Sequence, residues 1–558
     1  MELTLDSKGN PVKECSVVHC VVTKDIESGE INVWTNDRLG KPLLEYLAKA
    51  ELMIGHNLYG YDLECLRRML KYTGSSKIYD SLIVSKLMYP DLQNHPLGGN
   101  SLKDWGKHLG NEKIDYKGSW TELTEEMITY CIQDVHVAHD IYIRQQEWLL
   151  KNPEYAKIVQ LEHMASDVVN LQQRNGFNFD VELAEKLTFE LLCFKTDVED
   201  QMRQIFPDKV HVRFSDKTGK RLKDKIESFN PGSRKQIAER LYEKYGWEAP
   251  ETENGNPNVD SSVLGELEYP EAKKLVEYFD VIKLMGQVED WFTRASHSRD
   301  GKVHGFINVQ GAATGRCTHS QPNLAQVSGD HRARALWIPH GGDVLLGSDL
   351  SGLELRMLAH YMAPYDGGAY GDVILNGDIH THNQEKAGLP TRNNAKTFIY
   401  GFLYGAGDAK VGKIVNGTSK QGAALKEKFL KELPALAKVK QWVEFQVAKN
   451  GTVELVDGRK VPVRSKHAAL NTLLQGSGAV VSKYWMILAH RNLAKQFGSR
   501  VKQLAYVHDE LQFSCPADIA DAAGKIITDS AIEAGTRLGI KMPINAEFKV
   551  GRNWSETH

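Results

Sequence analysis

Two aspartates stand where apolar strands would end. Asp349 follows the run Val344-Leu-Leu-Gly-Ser, and Asp509 lies between the apolar arms Leu504-Ala-Tyr-Val and Leu511-Gln-Phe. A single acid in such a place is most often a turn residue or a helix cap. Two of them on neighbouring strands can hold two divalent ions roughly 3.5–4 Å apart, which suits an in-line phosphoryl transfer. Mg²⁺ takes carboxylate oxygens and keeps room for phosphate oxygens. Between the two acids lie Arg392, Lys396, Tyr400 and Tyr404, each four residues after the last. On an α-helix that spacing sets two cations and two rings along one face. Cations suit phosphates, and rings suit a base or sugar. The same pattern also fits a solvated cationic edge followed by core aromatics.

The chain that must position these groups has 558 residues, which suggests about three or four domains. Its net charge of −3, with 41% hydrophobic and 25% charged residues, excludes a disordered chain and a uniformly basic coat for nucleic acid. Seven cysteines without C-x-x-C spacing read as reduced thiols in a cytosolic protein. The first residues do not resemble a signal peptide, and no run of 18 apolar residues predicts a membrane span. Residues 1–145 alternate strands, over 16–22 and 30–34, with helices over 43–50 and 124–149. Residues 150–300 read as helical except for a break at 206–232. Strands follow near 303–309 and 343–349, then helices over 380–495, a hairpin around 508–510, and a closing helix and strand. Within the break, seven basic residues between Lys209 and Lys225 are opposed only by Asp216 and Asp224. That is either a solvated loop or a contact with a phosphate backbone.

Three stretches occur in order: "SDLSGLELR" with Asp349, Glu354 and Arg356; "RNNAKTFIYGFLYGAG" with Arg392, Lys396, Tyr400 and Tyr404; and "VHDE" with His508, Asp509 and Glu510. They resemble motifs A, B and C of the family A DNA polymerases, the DNA polymerase I family, and look most like its bacteriophage replicative branch. The resemblance runs through almost the whole chain. It implies an α/β multidomain fold, a right-hand polymerase of palm, fingers and thumb with an N-terminal RNase H-like 3′–5′ exonuclease domain. The boundaries it implies are 1–147 for the exonuclease-like domain, 148–190 for a helical connection and 191–305 for the thumb. The palm would take 306–379 and 500–558, and the fingers 380–499.

The resemblance also implies roles. Asp349 and Asp509, helped by the Leu350 carbonyl, would hold two Mg²⁺ ions, with Glu510 beside them in the catalytic set. Arg392, Lys396 and His380 would bind the triphosphate, and Lys396 would also protonate pyrophosphate. Tyr400 would pack on the sugar and base of the incoming nucleotide. Glu354 would pair with Tyr404 and block a 2′-hydroxyl. Arg316, Asn323, Gln326, Asn471, Gln475 and His508 would contact primer-template DNA, largely in the minor groove, where acceptors differ little between correct pairs. Primer-template DNA, dNTPs and a phage helicase and primase are the implied partners. The bacterial host cytoplasm is the implied location.

Two departures qualify the resemblance. In the exonuclease-like domain, Asp62 and Asp134 would bind metal and Tyr130 would orient water, with Asp80 on the intermediate helix. The first motif should read Asp-x-Glu, but by its spacing to His19-Cys20 it reads Asp6-Ser7-Lys8. An ammonium at Lys8 would repel an ion, so this activity is expected to be weak, and its metal content is left open. Between Phe206 and Phe229, well-known phage relatives carry a long insertion that binds host thioredoxin. Only about twenty residues stand here, so thioredoxin is not expected as a partner. A single-subunit RNA polymerase and a decayed DNA-binding protein are the competing readings. Glu354 argues against the first, and intact Asp349, Asp509, Arg392 and Lys396 argue against the second.

Tyr400 carries a prediction of its own. The family resemblance implies that its hydroxyl substitutes for a missing 3′-hydroxyl, so dideoxynucleotides are accepted. Tyr400→Phe is expected to terminate chains about tenfold less often or lower still at equal nucleotide ratios, roughly the worth of one hydrogen bond. Equal termination in both proteins would sink the idea.

Overall fold

A strand with apolar residues on both of its faces must be covered on both. Val344–Leu350 is such a strand, and it lies inside a four-stranded sheet. The order is Lys502–Val507, Glu510–Cys515, Val344–Leu350, Ala546–Gly551, and every pairing is antiparallel. The register sets Asp349 opposite Glu510 on one side and Glu547 on the other. Gly347 lets the C-terminal segment close over the sheet: a Cβ there would come within 2.5 Å of the Thr557 carbonyl and the Gln512 amide. The helix Ala469–Phe497 is buried around most of its circumference, as a helix without a polar face must be. The Trp485 indole on it donates to the Ile527 carbonyl of the helix Ala520–Arg537, at 2.9 Å.

The structure is a computed structural model and describes residues 3–5, 11–13, 17–91, 94–252 and 254–558. Asp6 and Lys8 lie outside the described residues. The chain divides into two units. The first comprises Met1–Phe177, His304–Ala325 and Pro339–His558, and the second comprises Asn178–Val303 and Gln326–Ile338.

The N-terminal part of the first unit is an α/β layer. Cys20–Lys24 pairs antiparallel with Ile31–Thr35, and Leu52–Gly55 pairs parallel with Lys77–Asp80. Helices Lys41–Lys49, Asp62–Leu70 and Glu125–Lys151 accompany these strands. The strand expected over 16–22 is shifted, because pairing runs only from Cys20 opposite Thr35 to Lys24 opposite Ile31. A second difference falls within 380–495, where the hairpin Thr452–Glu454 and Lys460–Pro462 interrupts the helices. Its turn holds Asp457-Gly458, an Asp-Gly signal of the kind that marks hairpins.

In the second unit, Val198, Met202, Leu241, Leu275 and neighbours form a core around the helices Val181–Ile205 and Pro270–His297. The break at 206–232 is a β-ribbon rather than a loop. Lys209–His211 pairs with Lys225–Glu227, and Phe214 bridges to Arg221. The rings of Phe206 and Phe229 pin its ends, 4.9 Å apart. No helix of the described residues is long and apolar enough to cross a membrane.

One buried charge cluster ties distant parts of the first unit together. Glu162, on the helix Tyr155–Asn175, has no exposed surface. It accepts from Arg459 Nη1 at 2.6 Å and from Lys483 Nζ at 2.7 and 2.9 Å. Asp457 pairs with Arg459 Nη2 at 2.8 Å. Burial pushes the Glu162 carboxyl up, but the two cations outweigh it and hold it below the usual range. Removing one member leaves uncompensated buried charge. Glu162→Gln is therefore expected to cost about 3–5 kcal/mol, read as a lowered urea midpoint. An unchanged midpoint would show that the cluster is not needed.

Candidate active site

The hairpin turn between Lys502–Val507 and Glu510–Cys515 brings the two aspartates together. His508 takes a left-handed backbone, φ 58°, which folds the chain back at once. The Leu350 N–H donates to the Asp509 carbonyl at 3.0 Å, so the end of one strand is bonded to the turn of the other. Neither carboxylate has an ion-pair partner among the described residues. Burial, then the charges of Asp509 and Glu510, pushes the Asp349 carboxyl up to about 7. Burial also raises Asp509, against the pull of Arg316. Two crowded oxygen acids without a cation are a donor set that fits a hard divalent ion. Among the described residues, no three His, Cys, Asp or Glu side chains converge as a metal group.

Glu510 is in a different condition. It accepts from the Trp554 indole at 2.5 Å, from the Gln512 amide at 2.7 Å and from His558 at 2.9 Å. Burial would raise its carboxyl, but the hydrogen bonds from His558, Trp554 and Gln512 outweigh that and hold it below the usual range. Trp554 and His558 were not visible as site residues in the sequence.

A second cluster forms around Glu354. The Tyr404 hydroxyl donates to its carboxylate at 2.8–2.9 Å, and Arg316 reaches it at 3.4 Å. Arg356 is buried and donates to the carbonyls of Ser351 and Pro543, both at 2.6 Å, which fixes the start of the helix Leu353–Asp366. The helix Arg392–Leu403, capped by Thr391, carries Arg392, Lys396 and Tyr400, with Tyr404 at its end. Gly405 then turns with φ +73°, and a Cβ there would meet the His467 carbonyl at 2.3 Å. Arg392 is exposed and held by both oxygens of Asp378, at 2.6 and 3.2 Å. Arg392 in turn keeps the Asp378 carboxyl far below the usual range. Lys396 is exposed. The His380 ring lies 6.3 Å from that of Tyr400.

The residues expected to face DNA divide. Arg316, Asn323, Asn471, Gln475 and His508 belong to the first unit, and Gln326 to the second. Asn471 and Gln475 lie half-buried on the helix Ala469–Phe497. His319, which the sequence did not single out, is buried edge-on to His508 at 6.3 Å, and burial and then His508 push its imidazole down to about 4.

In the N-terminal layer, Asp62 opens the helix Asp62–Leu70, and Tyr130 and Asp134 share the helix Glu125–Lys151. Surrounding protein, with Asp80 and Asp134, pushes the Asp62 carboxyl up to about 6, although part of the side chain reaches solvent. The Asp80 carboxylate accepts from the N–H groups of Asn57, Tyr59 and Leu82.

The description of DNA polymerase family A matches residues 208–556. The DNA-directed DNA polymerase of Enterobacteria phage T3 is 31% identical over 702 aligned residues, covering 98% of this chain and 99% of that protein. The DNA-directed DNA polymerase of Escherichia phage T7 is 32% identical, covering 97% of each. Since 702 exceeds 558, the phage T3 protein carries over a hundred residues that this chain lacks. DNA polymerase I of Aquifex aeolicus (strain VF5) is 24% identical over 90% of the chain and 88% of its own length. Among solved structures, the POL domain of Pol1 from M. smegmatis, in complex with DNA primer-template and dNTP, superposes with a TM-score of 0.79. It covers 95% of this chain and 92% of its own at 19% identity, so the fold is shared.

The raised Asp349 carboxyl has a sign that can be tested without metal. Its folded value, about 7, lies above the roughly 3.9 of an unfolded chain. The folded state therefore binds more protons between those values, and stability falls as pH rises from about 4 to 7. Asp349→Asn removes that loss. In EDTA it is expected to melt at a higher temperature than the unaltered chain at pH 8, with the gap closing toward pH 4. A gap independent of pH would refute the assignment.

Proposed function

The chain belongs to DNA polymerase family A and is a DNA-directed DNA polymerase with phage relatives; from that premise we propose that Asp349, Asp509 and the Leu350 carbonyl hold two Mg²⁺ ions where a primer 3′ end meets a deoxynucleoside triphosphate. The observation that carries this is the pair of crowded carboxylates with no cation, joined by the Leu350–Asp509 backbone bond. When bound, such ions make the primer hydroxyl a better nucleophile and neutralise charge on the attacked phosphate and leaving pyrophosphate.

The rest of the work falls to side chains. Arg392 exchanges Asp378 for the triphosphate, and Lys396 and His380 complete its grip, with Lys396 supplying the proton to pyrophosphate. Tyr400 packs on the sugar and base. The Tyr404–Glu354 pair forms a wall where a ribose 2′-hydroxyl would sit, which favours deoxynucleotides over the substrates of an RNA polymerase. Arg316, Asn323, Gln326, Asn471, Gln475 and His508 contact primer-template DNA. The M. smegmatis neighbour holds DNA primer-template and dNTP, which supports those partners. Glu510, with its oxygens bonded inside the protein, acts as a positioning residue that anchors the C-terminal segment under the turn.

The domain assignment follows the same reading. Residues 148–190 are the helical connection and 191–305 the thumb, whose basic ribbon grips the DNA backbone, giving binding that weakens steeply with salt. Residues 306–379 and 500–558 are the palm, and 380–499 the fingers. Residues 1–147 form an exonuclease-type domain whose hydrolysis is weak, since Lys8 stands at the position of a metal-binding glutamate. A helicase and primase are proposed as further partners.

Primer extension tests the centre of this reading. Asp349→Ala and Asp509→Ala are each expected to lower extension roughly a thousandfold or more, since the lost stabilisation is several kcal/mol. Binding of primer-template, followed by fluorescence anisotropy, should remain. Near-normal turnover in either variant would refute the metal assignment.

A further inference from the structure

The turn that carries Asp509 is not one that its own residues favour. Val507 pairs with Glu510, so His508 and Asp509 form a two-residue loop. Backbone φ is positive at His508 and not at Asp509. That is the sign pattern of a type II′ turn, which ordinarily places glycine first. A residue with a Cβ is strained in that position. The His508 carbonyl belongs to the peptide at the middle of the turn, and the strand ladder offers it no partner. Rotating that peptide exchanges turn types II′ and I′, and it would swing the Asp509 side chain relative to Asp349.

Ser482 holds that carbonyl. It lies on the helix Ala469–Phe497 with no exposed surface, and its hydroxyl donates to the His508 carbonyl at 2.6 Å. A serine inside a helix commonly donates to the carbonyl four residues back on its own helix. Ser85, Ser166 and Ser530, all buried, do so here at 2.7–2.8 Å. Ser482 instead sends its one proton out of the helix. Tyr506, buried on the strand that leads into the turn, makes a further hydrogen bond with the Ser482 side chain. Since the serine proton goes to His508, the phenol donates and the serine oxygen accepts, which orients the hydroxyl. The Asp509 carbonyl is tied to the Leu350 N–H, on the strand that bears Asp349. The two carbonyls of the turn are thus anchored to separate elements, one to a central strand and one to a buried helix.

We propose that Ser482 is a positioning residue for Asp509: its hydroxyl selects one orientation of the His508–Asp509 peptide and so sets the Asp509 carboxylate relative to Asp349 for nucleotidyl transfer. The inference rests on reading Asp349 and Asp509 as the metal-holding pair. Ser482 touches no reacting atom. It acts on the rate of the chemical step and not on the grip of the triphosphate, which is assigned to Arg392, Lys396 and His380 on other helices.

The test compares the full chain with Ser482→Ala, Ser482→Cys, Ser530→Ala and Asp509→Ala. Ser530→Ala also removes a buried helix serine, one bonded to its own helix, and so controls for lost stability. On saturating primer-template, Ser482→Ala should lower kcat for nucleotide addition about tenfold or more, since small misplacements at a reacting centre cost that much, with KM for dNTP little changed. Ser482→Cys is nearly isosteric and keeps a weak S–H donor. It should recover part of the rate, and it carries the test should the alanine variant not fold. In EDTA, without metal or DNA, amide exchange at Leu350 is followed by mass spectrometry of peptic fragments. It should quicken about tenfold in Ser482→Ala, the worth of one hydrogen bond, and stay unchanged in Ser530→Ala. If Ser482→Ala matches Ser530→Ala in both kcat and exchange while Asp509→Ala is inactive, the proposal alone fails. A Ser482→Ala chain that is slow with unchanged exchange, or whose whole defect lies in KM, also overturns it. Normal extension by Asp509→Ala would bring down the metal reading itself, and the proposal with it.

Discussion

Like charges held close together are the constraint around which the centre of this protein is built. Two unit charges about 4 Å apart repel by roughly 4 kcal/mol at an effective dielectric near 20. Folding nonetheless brings Asp349 beside Asp509, because the strand register and the Leu350–Asp509 bond leave no alternative. A third acid, Glu510, is forced into the same place by that register. The fold compensates its charge by bonding its oxygens to Trp554, Gln512 and His558, although that charge still presses on Asp349. Among the described residues, Asp349 and Asp509 are left without such partners. The C-terminal segment thus belongs to the chemistry although none of its side chains touches a reacting atom in the proposed mechanism.

The Glu162 cluster solves the opposite problem. There, opposite charges are fully buried, and their value lies in demanding one arrangement of the helices that bear them. Arg459 and Lys483 reach Glu162 across 297 and 321 residues of chain. A different packing of the helix Tyr155–Asn175 would leave Lys483 without this partner and Arg459 with Asp457 alone. The helix that carries the N-terminal layer into the main core is therefore located by charge as well as by its apolar face.

Much of this was legible in the sequence, for physical reasons. The central strand announces itself by apolar residues on both faces, and the hairpin by two apolar arms around His508-Asp509. The four-residue spacing from Arg392 to Tyr404 is a helix face, and it is one. The family follows from three ordered motifs. What was not legible is pairing across long separations. Nothing near Lys113 says that it will meet Asp134, and nothing near Glu162 says which cations will find it. Asp378 reads as a helix cap, which it is, but its hold on Arg392 depends on how two helices meet. The ribbon at 209–227 read as a loop because its strands are three residues each and its apolar residues stay exposed, so neither length nor burial pattern marks them.

That ribbon has a consequence for how the protein behaves in bulk solution. Its strands bear the directly opposed pair Val210 and Ile226, which are 59% and 64% exposed, and Phe214 beyond them is 60% exposed. A two-stranded ribbon with open edges and apolar side chains is a template on which a second copy can add strands. The cations spaced along it act as gatekeepers, since two like-charged ribbons repel before their edges can pair. Salt weakens that protection, because at about 0.1 M the repulsion reaches only some 10 Å. The lysines and arginines of the ribbon thus also set its colloidal stability, which is greatest in dilute salt.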